Sequence, residues 1–287
     1  MAAAFAVTAA GCAIDDPDVG TVASDLDVNA FVLPPASAAA RAQIVQQYDA
    51  LDPHDAVPRG LLEDALAFYD LNKPLIPKTR YLVVVDFSLY SGKDRYWLVD
   101  TTTGAVEPHK VAHGDGSDPD NNGTATLFGN VDGSHKTSLG FYLTGEIYDG
   151  THVHSMRLDG LSADGSPNSM ADTNARPRLI VMHEASYVDD TNTSQQGRSN
   201  GCLALDPSIE VSMVDRIHDG TLIYAATGPL NPPVGRAVPD PGQDPDPSMI
   251  GDAPNSGDNG GCSAGGGAGL ALSIAFVGLR RRRRVSA

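Results

Sequence analysis

From residue 80 onward the chain alternates short apolar, β-rich runs with clusters of Gly, Asp, Asn and Pro. The runs "RYLVVVDFS", "DRYWLVDTTTG", "AVEPHKVAHG", "SLGFYLTGEIY", "HVHSMRL", "RLIVMH" and "GTLIYAA" each read as a strand bounded by turn residues. Seven short strands with little helix between them predict a mainly β domain, a sandwich or small barrel. "PSIEVSMVDRIHDG" is the one good helical pattern inside this region. Ahead of the strands the period changes. "ASAAARAQIVQQYDAL" carries apolar positions at Ala40, Ile44, Val45 and Tyr48, and "PRGLLEDALAFYDLNK" has Pro58 suited to a first turn. A stripe of Leu61, Leu62, Ala65, Leu66, Phe68 and Tyr69 follows it. Two short helices therefore precede the sheet.

The ends follow other rules. "MAAAFAVTAAGCAIDDPD" reads as the end of an export signal with a lipoprotein-type site at Cys12, or as a disordered alanine-rich leader, and residues 15–35 read as an acidic linker. After Ala226, Pro, Gly and Asp dominate and cannot bury a core. The last segment runs from Cys262 through about 17 mostly small or apolar residues into the arginine run 280–284, marginal for spanning a bilayer. It resembles the tripartite C-terminal sorting tails of the myxobacterial type; a plain C-terminal anchor is the other reading. The expected layout is leader and linker 1–35, helical extension 36–78, β-rich domain 79–228, tether 229–261 and membrane tail 262–287. It belongs to an exported monomer held in the cell envelope, periplasm or cell surface through its termini.

Composition narrows the partners. Thirty-six acidic against 20 basic residues give a net charge of -16, and five of those positive charges are the terminal arginine run. Nucleic acid is excluded as a partner. There are 3 cysteines. With Cys12 assigned to a lipidation site and Cys262 to a sorting tail, Cys202 has no disulfide partner in an oxidising compartment.

Cys202 stands in "QQGRSNGCLALDP", nineteen positions after His183, which ends the strand "RLIVMH". A thiolate is the nucleophile of cysteine chemistry; a nearby imidazole lowers its pKa and returns the proton to a leaving amine. Gly201 lets the backbone approach a carbonyl, and the amides around Gly201 and Cys202 are candidates for an oxyanion hole. On spacing alone, a buried structural cysteine with an unrelated histidine competes with this reading.

"IVMHEASYV" followed by "GRSNGCLAL" resembles the L,D-transpeptidase catalytic domain (YkuD-like), whose signature is a histidine, a loop of this length and Ser/Thr-x-Gly-Cys. "ALAFYDLN", "LVVVDFSLYSGKDRYWLVDTTTG", "VAHGDGSD", "GSHKTSLGFYLTGEIYDGTHVHSMRLDGL" and "ARPRLIVMHEASYV" are similar, in order, to segments of one subgroup. The resemblance covers roughly residues 40–226. It implies a β-sandwich with Cys202 as nucleophile and His183 as general base and acid, without a cofactor or metal. The implied substrate is a peptidoglycan stem peptide: D-alanine leaves, and the acyl group passes to an amine or to water. Ser199 and Gly201 match the signature around the nucleophile. Asn200 stands where many relatives carry histidine, which leaves open what orients His183; in the family a backbone carbonyl next to the cysteine often does so. Leu203 replaces a proline common in the subgroup.

Arg198 suits the free carboxylates of a stem peptide, or pairs with a local acid. His113 and Ser138 match subgroup segments placed to line the cleft. A zinc site built from His152, His154, His113 and Asp115 lacks a His-Glu-x-x-His helix. "DPDNNG" copies the first half of a calcium loop, but Gly129 stands where the closing glutamate belongs, so it reads as a solvated acidic loop. A different amide substrate, a carboxypeptidase and a surface-displayed binding module without turnover are the competing functions.

Overall fold

The apolar run of β1 (Tyr81–Asp86) lacks a polar face because neither of its faces meets water. In the computed structural model, which describes residues 26–161 and 174–228, Leu82 and Val84 enter one core while Val83 and Val85 enter another. β1 pairs antiparallel with β2 (Tyr96–Asp100) and parallel with β8 (Leu222–Ala226). β3 (Val106–His109), β4 (Gly140–Tyr148), β5 (Ser155–Gly160), β6 (Val181–Glu184) and β7 (Leu203–Leu205) complete one sheet in the order β3-β2-β1-β8-β4-β5-β6-β7. The fold is a mostly-sheet half-barrel with a few helices and a short N-terminal helical part, in keeping with the mainly β expectation. Each of the seven expected strands is present. The eighth, β7, is three residues long and follows Cys202 directly.

Helices cover both faces. α1 (Ala38–Val45) is capped by Ser37, whose side chain accepts from the Ala40 amide. α2 (Arg59–Asn72) buries the stripe read from its sequence, with Pro58 at the residue just before the helix. Phe68 of α2 stacks on Phe141 at 3.8 Å, and Phe141 stacks on Tyr224 at 4.5 Å, so an aromatic column ties α2 to β4 and β8. The end of the expected linker is part of this core. Phe31 is buried against Phe68, and the Asn72 side chain accepts from the Val32 amide and donates to the Val32 carbonyl. On the other face α3 (Pro207–Ile217) begins with Pro207 behind an Asp206 cap and sends Met213, Val214 and Ile217 against Met182 and Leu203.

Among the described residues no helix is long and apolar enough to cross a membrane. The leader with Cys12, the tether 229–261, and the tail with Cys262 and the arginine run lie outside the described residues.

Candidate active site

β6 and β7 run parallel with His183 opposite Ala204. Directly paired residues share a face, and alternation returns Cys202, two residues before Ala204, to that same face. Met182 and Leu203 take the other face, toward α3. Cys202 immediately precedes β7, and its parity with Ala204 puts it on the side of the parallel β6–β7 pair that His183 occupies. Both are closed off in this conformation, Cys202 at 0% and His183 at 1% exposure. The Cys202 sulfur donates to the Leu179 carbonyl at 3.7 Å.

His183 Nδ1 donates to the Glu184 carbonyl at 2.6 Å. A carbonyl only accepts, so Nδ1 carries the hydrogen and Nε2 of the neutral ring is left as the basic nitrogen. The orienting group is thus a backbone carbonyl, but the one beside the histidine rather than beside the cysteine. Against the other side of the ring lies His152, from the turn between β4 and β5, with centroids 4.0 Å apart and planes at 18°.

The turn holding Cys202 closes on itself. Ser199 Oγ accepts from the Gly201 amide at 3.1 Å and donates to the Cys202 carbonyl at 2.7 Å. Gly201 has φ of 110°, and a Cβ there would stand 2.8 Å from the Lys136 carbonyl oxygen and 3.0 Å from Ile180 Cδ1. Only glycine fits, for conformation and for space. The Gly201 amide, expected as an oxyanion donor, is turned inward to Ser199. Leu179 ends a helical turn in the left-handed region, φ 57°, with Ile180 N donating to Ala175 O and Leu179 N to Arg176 O. This Schellman closure aims the Leu179 carbonyl at the thiol.

The family model of the L,D-transpeptidase catalytic domain matches residues 54–226. The chain belongs to this family. Among solved structures it is similar to an L,D-transpeptidase from Mycobacterium smegmatis, at 13% identity over 51% of this chain and 58% of that chain, with a TM-score of 0.31. It is similar to L,D-transpeptidase 1 of Mycobacterium tuberculosis, at 12% identity over 51% and 61%, TM-score 0.28. A third neighbour is the L,D-transpeptidase of Xylanimonas cellulosilytica, at 15% identity over 52% and 63%, TM-score 0.30. The chain spans less than two thirds of the length of each of these neighbours. Comparison with curated proteins gives no match.

Around the transpeptidase signature the other expected residues fall into supporting places. His113 is fully buried: Arg95 Nη2 donates to its Nδ1 at 2.7 Å, and its Nε2 faces Asp118 Oδ2 at 3.4 Å. Both ring nitrogens face protein groups, so His113 offers no ring atom to a ligand here; its carbonyl instead accepts from the Ser199 amide. Burial and the Arg95 charge push its pKa down to about 4, and burial lowers that of Arg95 to about 9. Ser138 is buried too, accepting from Arg178 Nη1 at 2.6 Å, while Arg178 Nη2 donates to the Lys136 carbonyl that abuts Gly201. Arg198 donates to the Asp118 carbonyl. Asn200 is half-buried beside Gly201.

The two metal readings dissolve into local structure. His152 and His154 stand in the turn before β5 rather than on a strand face, His154 with φ of 62°. Asp115 pairs with His135. No group of three His, Cys, Asp or Glu side chains placed to hold a metal occurs among the described residues. Asp118 of the calcium-like loop is buried, not solvated, and accepts from the Asn122 and Gly123 amides. Burial opposes its ionisation, but those amides and His113 hold its carboxyl below the usual range.

Sequence reading missed Glu210 of α3. Both its carboxyl oxygens are buried without a hydrogen-bond partner, with His154 Nδ1 at 3.7 Å. Burial raises its pKa to about 7; the charges of His154 and His183 pull the other way. A glutamate three residues into an amphipathic helix carries no sequence signal of burial.

Proposed function

We propose that the protein is an exported cysteine acyltransferase acting on peptidoglycan stem peptides, with Cys202 as nucleophile and His183 as base and acid. What supports this is the parallel register of β6 and β7, whose alternation carried back one residue puts Cys202 on the side of His183, together with the bond from His183 Nδ1 to the Glu184 carbonyl. Nε2 takes the thiol proton, and the thiolate attacks the carbonyl between the diaminoacyl residue and D-alanine. The thioester forms as the C–N bond breaks, and the imidazolium returns its proton to the departing amine of D-alanine. An acceptor amine, or water, then attacks the thioester, gives its proton to His183 and releases the thiolate. Ser199 and Gly201 hold the nucleophile turn, and Arg198 and Asn200 border it on the side where a stem carboxylate would arrive. Since both reacting residues are closed off, the stem peptide reaches them only as neighbouring chain moves.

The sequence at both ends supports an envelope location: the lipoprotein-like site at Cys12 and the sorting-type tail from Cys262 to the arginine run. The test is incubation of the full chain with a diaminopimelate-containing tetrapeptide, reading D-alanine release and an adduct on Cys202 by mass spectrometry. Release that disappears in Cys202→Ala is expected. A silent wild type, or an equally active Cys202→Ala, overturns the reading in favour of another amide substrate or a binding module. Adding an amine acceptor to the same assay separates cross-linking from carboxypeptidase activity.

A further inference from the structure

We infer that His152, carried on the turn between β4 and β5, is a positioning residue for His183, its ring face fixing the plane of the reacting imidazole. The inference rests on the acyl-transfer reading of Cys202 and His183. It starts from what the Glu184 carbonyl leaves undone. The bond at 2.6 Å fixes the direction of Nδ1, and because the terminal torsion of a histidine is broad, the plane of the ring depends on what rests against its face. Rocking swings Nε2 through an arc, away from the line to the thiol. The His152 ring, 4.0 Å away and nearly parallel, supplies such a face, so the carbonyl bears on the direction of the ring and the stack on its plane.

The turn is built to hold His152 there. Ser155 Oγ donates to the His152 carbonyl at 2.8 Å, and the His154 amide donates to Asp149 Oδ1 at 3.1 Å. His154, in the left-handed region, reaches to α3, with its Nε2 3.1 Å from Asp215 Oδ1 and its Nδ1 3.7 Å from Glu210. Val153 between them is exposed. The two histidines therefore straddle the end of β6, one resting on the catalytic ring and one anchored to the helix behind it.

Charge makes the arrangement directional. Among the described residues, titratable groups near His183 include Glu184 on its own strand, Glu210 on α3, Cys202 just before β7, and His152 and His154 on the turn. When His183 takes the thiol proton, a neutral imidazole face accepts the new cation, whereas a protonated one would repel it across 4.0 Å. His152 supports the thiolate–imidazolium pair only in its neutral form.

The test needs no natural substrate. Alkylation of Cys202 in the full chain by iodoacetamide, read on the Cys202-containing peptide by mass spectrometry, is followed from pH 5 to pH 10. His152→Ala is expected to slow alkylation at neutral pH about ten-fold, the scale of a lost aromatic pair, and to move the reactivity midpoint upward. His152→Phe, which keeps a ring face, is expected within about two-fold of wild type, the stack being retained. If circular dichroism shows that His152→Ala fails to fold, His152→Asn, polar but ringless, takes its place with the same expected loss. A ringless variant that tracks wild type across the range overturns the inference, and so does a Phe variant that falls as far as Ala. His183→Ala separates the two levels. If it leaves the profile unchanged, the acyl-transfer reading itself fails; if it alone changes the profile, only the role of His152 fails.

Discussion

Replacing Gly201 by alanine tests whether the Cys202 turn is held by backbone geometry. The residue has φ of 110°, where an L side chain costs about 1–3 kcal/mol. The added Cβ would stand 2.8 Å from the Lys136 carbonyl oxygen. That oxygen cannot retreat freely, because Arg178 Nη2 donates to it at 3.1 Å. Conformation and overlap together come to about 3 kcal/mol, which for a domain of this size lowers the melting midpoint by roughly 6–12 °C. Gly133 is the control: φ is 70°, with nothing within 4 Å of its Cβ position, so only the conformational cost applies, about 1 kcal/mol or roughly 2–4 °C. Thermal unfolding of both full-length variants at pH 7, followed by circular dichroism, reads the difference. A Gly201→Ala protein melting no lower than Gly133→Ala would refute the argument that the Lys136 carbonyl and the Cys202 turn are packed as one unit.

Glu210 gives a stability prediction with a definite sign. Burial raises its folded pKa to about 7, above the ordinary value of 4.5, so its favourable contribution is full below pH 4.5 and is lost as pH rises through 7. Glu210→Gln is therefore expected to stabilise the protein at pH 8 by about 3 kcal/mol relative to its effect at pH 4.5, measured by urea unfolding. His113 acts in the opposite sense. Its folded pKa of about 4 lies below 6.5, so its contribution is full above pH 6.5 and is lost as pH falls toward 4; His113→Gln should flatten that part of the urea-midpoint profile. Ser138→Ala removes the acceptor for Arg178 and is expected to cost about 1–3 kcal/mol of stability while leaving the KM for a stem peptide unchanged, as measured by steady-state D-alanine release. A raised KM with unchanged stability would instead place Ser138 against substrate.

The helices and the seven longer strands were legible because periodicity reports which faces are buried, and α2 and β1 bury the residues their patterns mark. β7 was not, since three residues are too few to show an alternation, and the parallel pairing with β6 comes from the fold alone. The Cys202 and His183 pair was visible in spacing and signature, yet their common face depends on that same parallel register. The "HVHSMRL" pattern places His152 on a strand, because the left-handed turn at His154 leaves no mark that a strand pattern would lack. His113 and Ser138 were placed in the cleft by segment likeness. Likeness does not separate a residue that touches a ligand from one that holds up the loop behind it, and the bonds to Arg95, Asp118 and Arg178 that engage these side chains exist only in three dimensions.

The bond from His183 Nδ1 to the Glu184 carbonyl has a genetic corollary. A carboxylate that steers a histidine can be erased by one codon change; a peptide oxygen cannot, whatever side chain residue 184 carries. On the acyl-transfer reading proposed above, an alanine scan across this strand records His183 as essential and passes over its steering partner in silence. Exposing that partner takes chemistry on the main chain itself: an ester in place of the peptide linkage to Ala185 would weaken the acceptor while every side chain stays in place.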